Sequence, residues 1–106
     1  MIKKRFFKTK DNCKVSFELP EGQLPEGMEI EKISLVGDFN DWNQEATPLR
    51  RLKGGTWKEI LDLQIDQEYN FRYVINGDVW YNDPEADGYA SSGQDSENCI
   101  VNTTRE

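Results

Sequence analysis

Tyr69-Asn70-Phe71-Arg72-Tyr73-Val74-Ile75 alternates with period two, so Tyr69, Phe71, Tyr73 and Ile75 share one face of an extended strand. Asn76-Gly77 follows, a pair suited to a tight hairpin turn. The alternation recurs outward from this stretch. Val15-Ser16-Phe17-Glu18-Leu19, Ile33-Ser34-Leu35 and Ile60-Leu61-Asp62-Leu63 read as further strands, punctuated by Pro20-Glu21-Gly22, Pro25-Glu26-Gly27 and Gly54-Gly55. No segment keeps an apolar 3.6-residue period for three turns, so no substantial helix is expected. Strands are expected near 4–10, 13–19, 30–37, 57–63, 68–75, 78–82 and 97–103. About seven short strands with Gly/Pro turns define an all-β, immunoglobulin-like antiparallel β-sandwich. Neither a repeat nor a linker divides the chain, so residues 1–106 are expected to form a single domain. Thr103 to Glu106 are expected to fray.

The charge balance narrows the partners. Thirteen Lys and Arg against twenty Asp and Glu give a net charge of −7. Nucleic-acid binding rests on cations that displace counterions from phosphates, so nucleic acid is not an expected partner. An anionic membrane surface is disfavoured for the same reason. The start, Met1-Ile2-Lys3-Lys4-Arg5, is basic, but only Phe6-Phe7 follow before Lys8. That is too short for a signal-peptide apolar stretch, and a cytoplasmic location is expected. Cys13 and Cys99 are the only cysteines and are expected as free thiols in that compartment.

Histidine is absent, which removes any Ser/His/Asp or Cys/His constellation. With two distant cysteines it also leaves too few ligands for zinc. Glycoside hydrolysis needs two carboxylates across a cleft, one with a raised pKa, and a small sandwich provides no such cleft. No catalytic residue and no cofactor are expected. Asp83-Pro84-Glu85-Ala86-Asp87-Gly88 has the opening of a calcium loop, but Gln94 stands where the bidentate Glu belongs and Pro84 intrudes. Calcium is not expected. Asn102-Thr103-Thr104 fits the glycosylation sequon, which has no bearing in a cytoplasmic protein.

The aromatics divide into two groups. Trp57 follows Gly54-Gly55 at a strand start and is expected in the core with Phe71 and Tyr73. Phe39 is expected to pin the loop after Val36-Gly37-Asp38. Trp42 lies in that loop among Asn40, Asp41, Asn43 and Gln44, none of which belongs in a core. A flat, exposed indole ringed by polar groups suits a ligand with a partly apolar face, such as a sugar ring. The alternative is an indole folded back to plug the sandwich end. Trp80 depends on turn length. A two-residue Asn76-Gly77 turn pairs Tyr73 with Trp80 and sends Trp80 to the core. A three-residue turn, Asn76-Gly77-Asp78, pairs Val74 with Trp80 and turns it outward.

These residues carry a resemblance. Leu35-Val36-Gly37-Asp38-Phe39-Asn40-Asp41-Trp42, Pro48-Leu49, Gly55-Thr56-Trp57-Lys58, the 69–77 strand and turn, Trp80, Asp83-Pro84 and Asn98-Cys99-Ile100-Val101 occur in an order and spacing that is specific. The chain resembles the family-48 carbohydrate-binding modules, the early-set domains found before isoamylase and branching-enzyme barrels. It is also similar to the glycogen-binding domain of the AMP-activated protein kinase β subunit. The resemblance runs from about Ile33 to Val101. It implies non-catalytic binding of α-glucans, with a glycogen- or starch-active enzyme as a further partner. Trp42 and Trp80 match the two stacking tryptophans, Arg72 a basic residue and Asn98 an asparagine that meet sugar hydroxyls. The kinase domain has one residue fewer between the turn glycine and the second tryptophan, where this chain has Asp78-Val79. The resemblance favours Trp80 facing out. A protein-interaction or scaffold domain of the same fold is the alternative function. The Pro20-to-Gly27 loop lies outside the resemblance.

Overall fold

A computed structural model describes residues 2–9, 11–93 and 96–104. Two antiparallel sheets face one another. In the first, β1 (Ile2–Phe6), β2 (Asn12–Leu19), β5 (Trp57–Gln64) and β4 (Arg50–Arg51) lie in that order. The second runs β3 (Ile33–Gly37), β6 (Glu68–Ile75), β9 (Ser96–Asn102), β8 (Gly88–Gly93), with β7 (Val79–Tyr81) also paired to β6. A single 3₁₀ turn at Glu21–Gln23 interrupts the connection from β2 to β3. This is the expected immunoglobulin-like sandwich, and no described helix is long and apolar enough to cross a membrane.

Alternation builds the interior. Cys13, Val15, Phe17 and Leu19 of β2 meet Ile33, Leu35, Phe71, Tyr73 and Ile75 from the opposite sheet. Phe17 packs edge-on against Phe71 with ring centroids 5.1 Å apart, and Phe71 against Tyr73 at 5.7 Å. Trp57 is 7% exposed and joins this cluster, as expected.

Among the described residues nine strands are present where about seven were expected. β4 is two residues long, and β8 reads Gly-Tyr-Ala-Ser-Ser-Gly, with no apolar alternation to announce it. The first strand covers Ile2–Phe6 and not 4–10, because β1 pairs Ile2 with Phe17 and Phe6 with Cys13, and the chain must then turn back. The expected fraying at Thr103 is corrected. Thr103 is fully buried, and its hydroxyl donates to the Gln64 carbonyl at 2.7 Å. The Asp66 amide donates to the Thr103 carbonyl at 2.9 Å. Thr104 is exposed, while Arg105 and Glu106 lie outside the described residues.

One polar knot is buried between β6, β8 and β9. Asp83, fully buried, accepts a hydrogen bond from the Tyr73 hydroxyl at 3.2 Å and one from the Glu85 amide at 2.8 Å. The Asp83 amide donates to Cys99 Sγ at 3.1 Å, and the Tyr89 hydroxyl donates to the Asp83 carbonyl at 2.6 Å. These bonds satisfy groups that burial would otherwise leave costly. They also hold the Asp83 carboxylate in the interior. Gln94 lies outside the described residues. Cys13 and Cys99 are both buried free thiols.

Burial pushes the Cys99 thiol up to about 11 from 9.0, the Asp83 amide bond pulling the other way. Burial and the neighbouring Asp83 push the Tyr73 hydroxyl well above 10. Both groups hold their protons more tightly when folded than when unfolded. Their contribution is therefore complete below the unfolded values and is lost as pH rises toward the folded ones. Urea midpoints are expected to fall steadily from pH 9 towards 11. A flat profile over that range would contradict the buried knot.

Candidate functional site

The outward side chains of β6 form the spine of the site. Phe71, Tyr73 and Ile75 point into the core, so Asn70, Arg72 and Val74 point the other way. β3 lies along one edge of β6. The other edge is shared end to end: β9 pairs with Glu68–Phe71 and β7 with Tyr73–Ile75. Arg72 sits at the seam between β9 and β7.

The turn register resolves the facing of Trp80. β7 pairs Ile75 with Val79 and Val74 with Trp80, the three-residue-turn arrangement. Asn76 and Gly77 both have positive φ (54° and 81°). The Asn76 side chain holds the turn, accepting from the Glu31 and Lys32 amides at 2.8 and 3.2 Å and donating to the Glu29 carbonyl at 2.9 Å. Trp80 is thus on the outer face and 47% exposed, while Val79 and Tyr81 pack on the core. The Arg72 guanidinium carbon stands 5.8 Å from the Trp80 ring centroid, within cation–π range.

Arg72 and Asn82 converge on one backbone carbonyl. Arg72 Nε donates to the Glu97 carbonyl at 2.8 Å, Arg72 Nη2 donates to it as well, and Asn82 Nδ2 donates at 2.9 Å. This ties the start of β9 to β7 across the seam. It brings Asn98 onto the same outward face, since Cys99 beside it is fully buried. Arg72 thus lies beside Trp80, and Asn98 shares their outward face. Asn82 was not among the expected residues, although it lies two positions after Trp80 and so on the same face.

Trp42 is reached by a different route. Gly37 closes β3 where an added Cβ would lie 2.5 Å from the Asn70 carbonyl oxygen and 2.9 Å from Phe71 Cβ. Only glycine allows this approach. Asn40 then cinches the loop: its Oδ1 accepts from the Gly37 amide at 3.0 Å, and its Nδ2 donates to the Leu35 carbonyl at 2.9 Å and to Thr47 Oγ1 at 3.0 Å. Phe39 packs 5.8 Å from Phe17 and 6.1 Å from Tyr69, ring centroid to ring centroid, pinning the loop as expected.

Asp41 and Trp42 both have left-handed backbones, with φ of 55° and 58°. This conformation is costly for residues with a Cβ, above all a bulky one, and surroundings must hold it. The Trp42 amide donates to the Gly37 carbonyl at 3.0 Å. Its indole N–H donates to Asp38 Oδ1 at 3.3 Å, and Asp38 Oδ2 accepts from the Asn70 amide at 2.8 Å and from Asn70 Nδ2 at 3.2 Å. Trp42 is half-buried and absent from the core cluster, so it does not plug the sandwich. Asp38 ties Trp42 to Asn70, one outward position from Arg72. The sequence marked Asp38 only as part of a Gly-Asp break, and nothing in it announced the bond to Asn70, 32 positions away.

The sandwich thus sets Trp80 and Arg72 on one sheet face and Trp42 in the loop that follows β3. The chain belongs to the family carbohydrate-binding module 48 (isoamylase N-terminal domain), whose model matches residues 29–90, more than half of the sequence. Trp42, Arg72 and Trp80 lie in that span, and Asn98 lies beyond it. The chain is similar to the 1,4-alpha-glucan branching enzyme GlgB of Deinococcus radiodurans, 46% identical over 46 residues, which is 42% of this chain and 6% of that enzyme. It is also similar to GlgB 2 of Xanthomonas campestris pv. campestris strain 8004, 31% identical over 45 residues, again 42% of this chain and 6% of the enzyme. The match thus covers a small fraction of the enzymes' length.

Gly37→Ala is expected to cost about 1–3 kcal/mol of stability in urea denaturation, since the clash is with backbone and not with a flexible side-chain end. Asp38→Ala is expected to move the Trp42 indole N–H resonance and raise its solvent exchange while Trp57 and Trp80 keep theirs. An unmoved Trp42 indole would remove Asp38 from the site.

Proposed function

We propose that the outer face of the second sheet binds α-glucan chains and does not transform them, the described chain acting as one module. Trp42 and Trp80 cover the apolar C–H faces of glucose rings, while Arg72 and Asn98 meet the hydroxyls. The observation that carries this is Trp80. It stands 47% exposed on a strand face, with a guanidinium 5.8 Å from its ring and Asn98 across the seam. A large indole left open beside hydroxyl-matching donors is what a neutral, amphipathic ring requires. The left-handed backbone at Trp42, held by bonds to the Gly37 carbonyl and the Asp38 carboxylate, supports the same reading. So do membership of family 48 and the 1,4-alpha-glucan named in the relatives' activity. A sheet face offers no cleft to enclose a reacting bond, which favours binding without turnover. A glycogen- or starch-active enzyme is the natural companion of such a module.

Each indole contributes on the order of 1.5–3 kcal/mol by area. Association itself costs several kcal/mol. The balance corresponds to a Kd of roughly 10 μM to 1 mM. With a neutral ligand, the Kd is expected to change little between low and moderate salt.

Titration with maltoheptaose and β-cyclodextrin is expected to quench or shift tryptophan fluorescence. Saturable amide shifts should cluster at Trp42, Arg72, Trp80 and Asn98. Trp42→Ala and Trp80→Ala should each weaken binding roughly tenfold to a hundredfold with the fold retained. Absence of any shift at millimolar sugar would reject the reading and favour a protein-interaction domain of the same fold.

A further inference from the structure

The opposite face of the molecule carries a different charge. The first sheet points Lys3, Arg5, Lys14, Arg50 and Lys58 outward, with Glu18 and Asp62 as the carboxylates among them. Five cations and two anions put this face at +3. The whole chain has 13 cations and 20 carboxylates, so everything else stands at −10. Arg5 lies directly across from Lys14, and Arg50 directly across from Lys58. Like charges opposite one another weaken a sheet. The two carboxylates compensate in part: Lys3 lies 3.6 Å from Glu18 and Lys14 3.8 Å from Asp62. In the middle of this face Ile60, across from Ser16, is 42% exposed.

A complementary surface exists on the same chain. The Pro20-to-Gly27 loop, which the glucan site does not use, borders a groove of about 440 Å³ at the Trp57 end of the sandwich. Leu24, Met28 and Ile30 line it, Glu21, Glu26 and Glu29 supply three carboxylates, and Arg51 is the one cation among its described lining residues. The loop is fixed by the Tyr81 hydroxyl, which donates to the Gln23 carbonyl, and by Gln23 Nε2, which donates to Glu85 at 2.9 Å. The groove thus combines apolar and acidic side chains, and the basic face offers an apolar residue among cations. Lys3, Arg5, Lys14 and the whole Pro20-to-Gly27 loop precede residue 29, where the family match begins.

We infer that the chain associates head to tail with a second copy of itself, the basic face around Ile60 seating on the acidic groove of the next molecule. The two patches differ, so the contact is heterologous and repeats in an open chain. It is independent of what the glucan face binds. Opposed charges set its strength, so it is weak and salt-sensitive.

The full chain is compared by sedimentation equilibrium from about 20 μM to about 1 mM, at about 20 mM and about 300 mM salt. The weight-average mass is expected to rise with concentration at low salt and to fall back at high salt. Amide shifts on dilution should fall at Lys14, Ser16 and Ile60 and at Leu24, Met28 and Ile30. One variant, Arg5→Glu with Lys58→Glu, reverses the face, and another, Glu26→Lys with Glu29→Lys, reverses the groove. Each alone should stay monomeric at 1 mM, at least tenfold weaker than the parent, and an equimolar mixture should associate again. Folding of each variant is checked by its amide spectrum. A parent chain that is monomeric at 1 mM, or a mixture that does not recover, overturns the inference. So does a parent that ignores its own copy yet binds polyglutamate or anionic lipid vesicles through this face.

Discussion

The contact on which the site depends is the approach of Gly37 to β6. An added Cβ would lie 2.5 Å from the Asn70 carbonyl, so the end of β3 can lie against β6 only because glycine has no side chain. From that point the chain leaves the sheet, and three of the bonds that shape the Trp42 loop start there. The Gly37 carbonyl receives the Asn40 and Trp42 amides, and the Gly37 amide donates to Asn40. The same closeness lets Asp38 reach Asn70. Without it, Trp42 would have no fixed relation to the sheet that presents Trp80.

β6 has two functions on its two faces. Inward, Phe71, Tyr73 and Ile75 give the sandwich much of its core. Outward, Asn70 anchors the first tryptophan through Asp38, Arg72 meets the second, and Val74 pairs with it. A side chain set on a core strand is held more firmly than one on a free loop, because moving it would disturb packing on the other side. The proposed glucan face would be held in this way. This also links folding to function, since substitutions inside the sandwich displace residues outside it.

The seam between β7 and β9 is the second organising feature. β7 and β9 share one edge of β6, and Arg72 falls between their two paired stretches. Its guanidinium and the Asn82 amide bond to the Glu97 carbonyl. The join there is made by side chains. Membership of family 48 accounts for the sandwich and for the span containing Trp42, Arg72 and Trp80. Three of the five cations of the basic face and half of the residues lining the acidic groove come from the first 28 positions, outside that span.

Alternation in Val15–Leu19 and Tyr69–Ile75, turn residues between strands, and the absence of any helical period were enough to determine a sandwich from sequence alone. Those are local signals, and local signals survive because each strand must bury every second residue. The burial of Trp57 and Phe71 and the polar setting of Trp42 were legible for the same reason. The facing of Trp80 was not. It turns on one residue of register, and that register is held by Asn76 reaching back to Glu29, Glu31 and Lys32, more than forty positions away. Thr103 looked like a loose end and is buried because Gln64 and Gln67 come to meet it. β8 carried no pattern because small residues pack equally well in many settings. Only the tertiary structure could decide these points, since each rests on partners that lie close in space and far apart in sequence.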